Sequence, residues 1–427
     1  MLKAGFAVSD ITPTSGEDLC GFAARNGKTL GIHDHLYSKW LCLDDGSVKI
    51  LLSSNDLVGL SRNFVANLRK DIELSTTMSR HNVFITVSHT HSGPATVSLR
   101  GCGTRNTQYV AHLGGEMREA ATKAVLSRQV PVEFGVAAGT ADISRNRRDP
   151  ERGVVDRSLG VIALRNARTK EISALLCNYA CHGVVMGEHN YFVSGDFASV
   201  MQARVEKETG SICLFLNGAC GDINPRTAHS ADFNDAERIG RELAENVLCL
   251  IRRLRWCSDS TEQQHDSKII TTATHTINLP VHLPKSVKEI KERFAYATTT
   301  FNLSKSFFSE RLERIKQQIK TSTYPKSIRF TASLLTLGSE TAIVFLPGEV
   351  FAEIGIKIKN LSPFKHTFVI TFANGCAGYI PTRAAYAAGG YEPFLAPLFY
   401  GMPEYEPSVE NALLSGIARL FSKSART

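Results

Sequence analysis

The sequence predicts an α/β fold: a layered, mixed, largely parallel sheet flanked by helices, with a helical, lysine-rich insertion. Three observations support this class. Short apolar runs, such as the β-branched run at 83–87 and the run at 172–180, are typical of buried strands. Segments with apolar residues at helical spacing alternate with these runs. The chain has 427 residues, 43% of them hydrophobic, which is enough to bury a large core.

The first predicted elements form a β-α-β unit. The opening AGFAVSDITP predicts a strand closed by a turn, and the turn Asp44-Asp45-Gly46 joins two further strands. A helix over 60–74 and the strand at 83–87 follow. A crossover of this length favours a parallel strand pair.

The rest of the chain continues this alternation. The predicted helices lie at 107–128, 196–207, 232–254 and 349–359, and the predicted strands at 131–139, 172–180, 211–216, 329–337, 341–346 and 367–373. Between 261 and 327 a strand-like passage leads into lysine-rich helical sequence, which predicts an insertion or small subdomain with a solvated charged face. Whether this segment also covers a site stays open.

Two histidines stand at the end of the strand at 83–87, in the stretch NVFITVSHTHSGP. Residues two positions apart in an extended backbone face the same side, so His89 and His91 point into one volume. Imidazole is a common zinc ligand, and a pair on the stiff end of a strand loses little entropy on binding. The alternative is that either ring is only hydrogen-bonded at the strand end.

Three more apolar segments lead to residues that can bind a metal, namely His182, Glu349 and Tyr379. If the strands run parallel, their ends meet at the edge where α/β sheets bind ligands. Two histidines and a carboxylate are the usual protein ligands of a catalytic zinc, which leaves a position for a water that ionises near neutral pH. Alone, Glu349 also suits the first turn of a helix and Tyr379 a core or turn position, so the prediction rests on their joint position.

The charged residues give no evidence for a nucleic-acid partner. The net charge is +8, from 49 basic against 41 acidic residues, and no basic cluster is interleaved with aromatic residues. Peripheral contact with an anionic lipid surface stays open. The basic loop SRNRRDPERG is of a kind that is usually solvated, and a substrate contact by Arg147 or Arg148 is the alternative.

No segment predicts export or membrane insertion. The first residues lack the apolar core of a secretory signal, and no later run approaches the length of a membrane span. The ten cysteines contain no paired C-x-x-C set and fit reduced thiols. We therefore expect a soluble cytoplasmic protein, and the sequence does not predict its oligomeric state.

The motifs resemble the catalytic domain of the neutral (alkaline, non-lysosomal) ceramidases, which are zinc amidases. The resemblance is carried by GIHDHLYSKW, VSHTHSGP, the SRNRR loop, ACHG with VSGD, GACGDINP, LPGEVF and GYIPTRAAYAAGGYEP. It implies Zn²⁺ as the cofactor, held by His89, His182, Glu349 and Tyr379. It also implies that His91, Arg147 and Tyr391 contact the substrate amide. Residues 1–427 would then form one amidase domain, with 261–327 as an insertion within it.

Two departures from the family pattern limit what the resemblance implies about the substrate. Gly218 stands where the ceramidases have the serine of a Q-S-N triplet, and the chain ends at Thr427 without the β-sandwich domain that follows in the family. We expect hydrolysis of the amide of a small N-acyl compound, an acylated amino lipid or amino sugar, by metal-activated water, with His91 and Tyr391 stabilising the oxyanion. The alternatives are a metal-dependent carbohydrate deacetylase or esterase, and a non-catalytic binding protein on the same fold.

Overall fold

The computed structural model describes residues 1–14, 16–23, 25, 27–127, 129–257, 268–300 and 306–424. Residues 261–267 and 301–305 of the predicted insertion lie outside the described residues. The strands are β1 (Lys3–Asp10), β2 (Gly31–Ile32), β3 (Tyr37–Asp44), β4 (Lys49–Asn55), β5 (Val83–Val87), β6 (Val130–Thr140), β7 (Ser144–Asn146), β8 (Ser158–Asn166), β9 (Ile172–Tyr179), β10 (Phe192–Val193), β11 (Ile212–Asn217), β12 (Ile223–Pro225), β13 (Arg255–Trp256), β14 (Ile270–Pro280), β15 (Ser327–Leu337), β16 (Thr341–Phe345), β17 (Glu349–Val350), β18 (His366–Ile370) and β19 (Tyr379–Ile380).

The helices are α1 (Arg62–Thr76), α2 (Thr107–Leu126), α3 (Asp196–Thr209), α4 (Phe233–Ile251), α5 (Val287–Thr300), α6 (Ser309–Lys320), α7 (Ala352–Leu361), α8 (Arg383–Ala388), α9 (Ala396–Tyr400) and α10 (Val409–Ser424). A short π-helical segment, Tyr391–Leu395, precedes α9. None of the described helices has both the length and the apolar character needed to cross a bilayer.

Helix α1 shows how local sequence sets the bounds of an element. The hydroxyl of Ser61 accepts a hydrogen bond from the backbone N–H of Phe64, which satisfies one of the free donors at the helix start. Val65, Leu68 and Ile72 recur at helical spacing and are buried. The amphipathic pattern therefore fixes which face of the helix packs against the sheet.

Two large sheets form the fold. The first has nine strands, in the order β11-β9-β8-β6-β1-β3-β4-β5 with β13 beside β6, and the second has the order β14-β15-β16-β18. The mixed α/β class is confirmed. The expectation that most strand pairs are parallel is wrong. In these sheets only β4–β5, β9–β11 and β16–β18 are parallel. The other ladders of these two sheets are antiparallel, and a tight turn at Asp45–Val48 joins the neighbouring strands β3 and β4 directly.

The sheets share one central core. The two halves of the nine-stranded sheet meet at a short ladder between β1 and β6, and their inner faces pack with the four-stranded sheet in one apolar cluster. Helices cover the outer faces: α1 and α2 pack on the β1-β3-β4-β5 half, α3 and α4 on the β6-β8-β9-β11 half, and α7 and α10 on the four-stranded sheet. The three parallel pairs therefore belong to three different parts of one packed unit.

The predicted helical insertion contains α5 and α6. Ile290, Phe294 and Ile315 of these helices are buried in a cluster with Leu398 and Phe399 of α9. Residues of the chain after β5, Val97 and Leu99 among them, complete this cluster. The insertion thus packs on the segments that lie next to the strand-end residues.

Candidate metal centre

Each strand that leads to a predicted ligand belongs to one of the three parallel pairs. β5 is followed by His89, and β9 is followed by His182. The chain after β16 and after β18 forms the short parallel pair β17–β19, in which Glu349 lies opposite Tyr379. Glu349 therefore lies in a strand, and α7 begins later than predicted, at Ala352. This pairing brings the carboxyl and the phenol side by side.

The four predicted ligands meet at one buried point. The Oε2 atom of Glu349 is 3.4 Å from Nε2 of His89 and 3.1 Å from Nε2 of His182. The hydroxyl oxygen of Tyr379 is 3.4 Å from Nε2 of His182. Ligand atoms at tetrahedral zinc, with bonds of roughly 2.0–2.1 Å, lie about 3.3 Å apart. The spacing of these donor atoms therefore fits a single ion.

His89 and His182 each carry the outer hydrogen bond that is typical of a metal-binding histidine. Nδ1 of His89 is 2.6 Å from the carbonyl oxygen of Val58, and Nδ1 of His182 is 2.6 Å from that of Cys220. A carbonyl oxygen only accepts, so each Nδ1–H donates and each Nε2 presents its lone pair to the centre. His89 also has a left-handed backbone, with φ of 66°, a conformation that is uncommon outside glycine and concentrates at functional sites.

His91 lies against the same point. Its Nε2 is 3.1 Å from Nε2 of His89, and His89, His91 and His182 form a buried group that can hold a metal ion. Unlike the other two rings, His91 has no hydrogen-bond partner for its buried Nδ1 among the described residues. Two donor sets are therefore compatible with the geometry, the three histidines or two histidines with Glu349 and Tyr379. The missing outer partner of His91 favours the second set.

Burial and mutual contact set the charges in the centre. Burial, with the nearby Arg147 cation, lowers the pKa of His182 to about 4, so this ring is neutral at pH 7. Burial alone would raise the pKa of Glu349, but the His89 and His182 rings outweigh it and hold that pKa well below its usual value. Burial and then Glu349 raise the pKa of Tyr379 and outweigh the opposing effect of the Arg147 cation, so this phenol is neutral. A carboxylate and a neutral imidazole are the protonation states that a divalent metal requires.

Arg147 and Tyr391 lie on one side of this centre. Nη1 of Arg147 is 3.5 Å from Nε2 of His182, and its guanidinium stands 5.4 Å from the ring centre of Tyr379. The rings of Tyr391 and Tyr379 lie edge to face, with centres 5.8 Å apart. All seven residues singled out from the sequence are thus in one region, and Arg148 lies beside them.

A cavity of about 1110 Å³ opens beyond Arg147 and Tyr391. Asn146, Asp222 and Glu392 also line it, whereas the four predicted ligands lie deeper and do not. A second cavity of about 10 Å³, next to His89 and Phe372, has room for about one water molecule. Arg147 and Tyr391 therefore stand between the large cavity and the buried centre.

No protein-family model and no curated protein sequence matches the chain. Two solved structures are similar over its whole length. The neutral ceramidase from Pseudomonas aeruginosa is 16% identical, with a TM-score of 0.76, and a ceramidase complexed with C2 is 14% identical, with a TM-score of 0.77. Each alignment covers 100% of this chain and 75% of the ceramidase chain. This chain has the neutral ceramidase fold. The resemblance predicted from the motifs is confirmed at that level.

Within this ceramidase fold, Glu392 is a residue that sequence reasoning missed. It is 3% exposed, and its two oxygens bind Arg147, at 2.9 Å, and Arg148. One buried carboxylate thus fixes Arg147 and Arg148, two of the four arginines of the predicted basic loop, which makes this part of the loop a wall of the site. A lone acidic residue directly after Tyr391, in the apolar passage YEPFLAP, was the available signal.

Tyr400 is the second residue that sequence reasoning missed. Its hydroxyl donates a hydrogen bond to Oε1 of Glu349, the oxygen that faces away from the two histidines. No motif marks this tyrosine, because it follows the apolar run of α9 and reads as a core aromatic. Only the tertiary contact brings it to the centre.

Gly218, the position of the family serine, packs against Ala180, two residues before His182, and has no space for a side chain. An added Cβ would lie 2.9 Å from Cβ of Ala180 and 3.0 Å from its Cα. The neighbouring strand end of β9 thus fills the volume that a side chain at 218 would need. The ceramidase fold of this chain therefore has no hydroxyl at that point.

Proposed function

We propose that this protein is a zinc-dependent hydrolase that cleaves the amide bond of an N-acyl compound. One observation carries the proposal: Oε2 of Glu349 lies within 3.4 Å of the Nε2 atoms of two histidines whose Nδ1 atoms donate to backbone carbonyls. We assign His89, His182, Glu349 and Tyr379 as the zinc ligands. A zinc ion bound there would polarise the substrate carbonyl and activate a water molecule for attack.

The remaining residues of the site would bind and orient the substrate amide. Burial, and then the neighbouring rings of His89 and His182, lower the pKa of His91, so it acts as a neutral hydrogen-bond partner. Burial raises the pKa of Tyr391, which keeps its hydroxyl protonated and able to donate to a developing oxyanion. Arg147 contacts the amide from the side of the large cavity, and Glu392 holds it there.

The N-acyl substrate class follows from the shared fold and from the chemistry of the site. The two similar structures are ceramidases, and ceramidases cleave the amide of an N-acyl lipid. The lack of space at Gly218 supports a mechanism in which water, rather than a serine hydroxyl, attacks. An acylated amino lipid or amino sugar remains the proposed substrate, in a cytoplasmic enzyme.

Replacing His182 tests the proposal. Purified wild-type protein should contain one zinc ion per chain and hydrolyse N-acyl substrates, while His182→Ala should lose both, because removal of one ligand leaves the others unable to hold the ion. The exposed His112, with a side-chain exposure of 66%, provides the matched control: His112→Ala should keep both properties. Elemental analysis and a hydrolysis assay measure the outcome. Activity that persists in metal-free protein would contradict the proposal.

A non-catalytic binding protein on the same fold is the second candidate, and the absence of a hydroxyl at Gly218 favours it. Metal content does not separate the two, because a binding protein can keep its ion. A screen of matched N-acyl and O-acyl compounds separates the hydrolase from the binding protein. Hydrolysis of any of them excludes a pure binding role, and a preference for O-acyl compounds identifies an esterase instead of an amidase.

A further inference from the structure

The two oxygens of Glu349 face different partners. Oε2 points to Nε2 of His89 and of His182, whereas Oε1 accepts the hydrogen bond from Tyr400. Glu349 is 1% exposed, so neither oxygen exchanges its partner with solvent. One oxygen of this carboxylate therefore faces the candidate metal centre, and the other is hydrogen-bonded to the phenol of Tyr400.

The position of Tyr400 is fixed by packing on both sides. Its ring meets that of Tyr379 edge to face, with centres 6.1 Å apart. Leu398 and Phe399 of the same helix, α9, are buried with Phe308 next to α6 in the cluster that joins the insertion to the body. The packing of α9 and of the Tyr379 ring therefore holds the Tyr400 phenol in place beside Glu349.

We propose that Tyr400 is a positioning residue that restricts Glu349 to binding the metal through a single oxygen. The inference rests on the proposed function, because it concerns the same ion. A carboxylate with both oxygens free can turn and bind an ion through both. With Oε1 engaged by the phenol, only Oε2 is available to the ion. The position that a second oxygen would occupy stays open for water and substrate, as a catalytic zinc site requires.

The test compares Tyr400→Phe with Tyr405→Phe. Tyr405 is the matched control, because its hydroxyl donates to the carbonyl oxygen of Ala377, at 2.8 Å, and does not contact Glu349. Loss of an outer partner of a metal ligand weakens metal binding by about 10–100-fold. We expect that loss for Tyr400→Phe in a zinc titration against a chelator, and wild-type affinity for Tyr405→Phe.

Two spectroscopic readouts test the binding mode directly. The cobalt-substituted Tyr400→Phe protein should show weaker visible absorption than wild type, as expected when a second carboxylate oxygen raises the coordination number. X-ray absorption of the wild-type zinc protein should show a carboxylate bound through one oxygen, and this measurement does not depend on the variant folding.

The outcomes separate this inference from the proposed function. A wild-type protein that binds zinc through both oxygens of Glu349 overturns the role of Tyr400 and leaves the hydrolase intact. The role of Tyr400 is also overturned, and the hydrolase left intact, if Tyr400→Phe matches wild type in zinc affinity and in the visible spectrum of the cobalt protein. A wild-type protein that binds no zinc overturns both.

Discussion

His89 and His91 show how two residues of one type in one motif come to differ. Both follow β5 and face the same volume, as their spacing predicts. His89 donates to the carbonyl of Val58, whereas Nδ1 of His91 has no partner among the described residues and lies against the backbone of Gly21. The local sequence decides that both rings face the centre, and the packing around each ring decides which one is suited to hold an ion.

At the residue scale, we predict that Gly218→Ser lowers the free energy of unfolding. An added Cβ would lie 2.9 Å from Cβ of Ala180, and overpacking of this kind typically costs about 1–3 kcal/mol. Chemical denaturation followed by circular dichroism measures the change. Gly115→Ser in α2 is the control, because a Cβ there meets no atom within 4 Å, and its effect should stay within about 0.5 kcal/mol. A Gly218→Ser protein as stable as wild type would show that a serine can be accommodated.

At the scale of elements, the site depends on short segments that lie outside the main strands. The apolar runs of β5, β9, β16 and β18 predict where the chain reaches the site, but β17 and β19 have too few residues to be recognised in a sequence. The strand β8 has no counterpart among the predicted elements, and Gly160 interrupts its pattern. That glycine is required because the ring of Phe368 fills the place of its side chain.

At the same scale, we predict that Phe308 anchors the insertion on α9. Phe308 is 1% exposed, and its ring lies 5.2 Å from that of Phe294 and 5.7 Å from that of Phe399. Phe308→Ala should therefore lower the free energy of unfolding by about 3–5 kcal/mol, the usual cost of emptying a packed aromatic site. Tyr296→Ala, on the same insertion at 58% exposure, should have little effect. Equal stability of the two variants in urea denaturation would show that the insertion does not pack on α9 as described.

At the scale of the whole molecule, the two halves of the nine-stranded sheet and the four-stranded sheet share one central apolar cluster. Phe84 of β5 stacks on Phe345 of β16, with ring centres 4.6 Å apart, and so joins the nine-stranded sheet to the four-stranded sheet. Strands from both sheets lead to the candidate metal centre. The centre can therefore form only when the sheets are packed together.

We predict that the two sheets unfold in one transition and that Phe345→Ala destabilises both. Phe345 is fully buried, so its removal should cost about 3–5 kcal/mol. In a Trp256→Phe background, Trp40 of β3 reports on the nine-stranded sheet while far-ultraviolet circular dichroism reports on the whole chain. The unfolding transitions measured by Trp40 fluorescence and by circular dichroism should coincide, both with Phe345 present and in the Phe345→Ala variant. The control Leu361→Ala, at 47% exposure, should change the free energy of unfolding little. Separate transitions for the two signals would contradict the shared core.

The sequence by itself determined the mixed α/β class, most helices and strands, and the residues to examine at the strand ends. It could do so because apolar periodicity and turn residues act locally, and because His89, His182 and Glu349 directly follow recognisable apolar runs. Only the tertiary structure decided that most ladders are antiparallel, that Glu349 pairs with Tyr379 in a short strand, and that Tyr400 and Glu392 hold the residues of the site. These features depend on contacts between segments far apart in the chain, which no local pattern encodes.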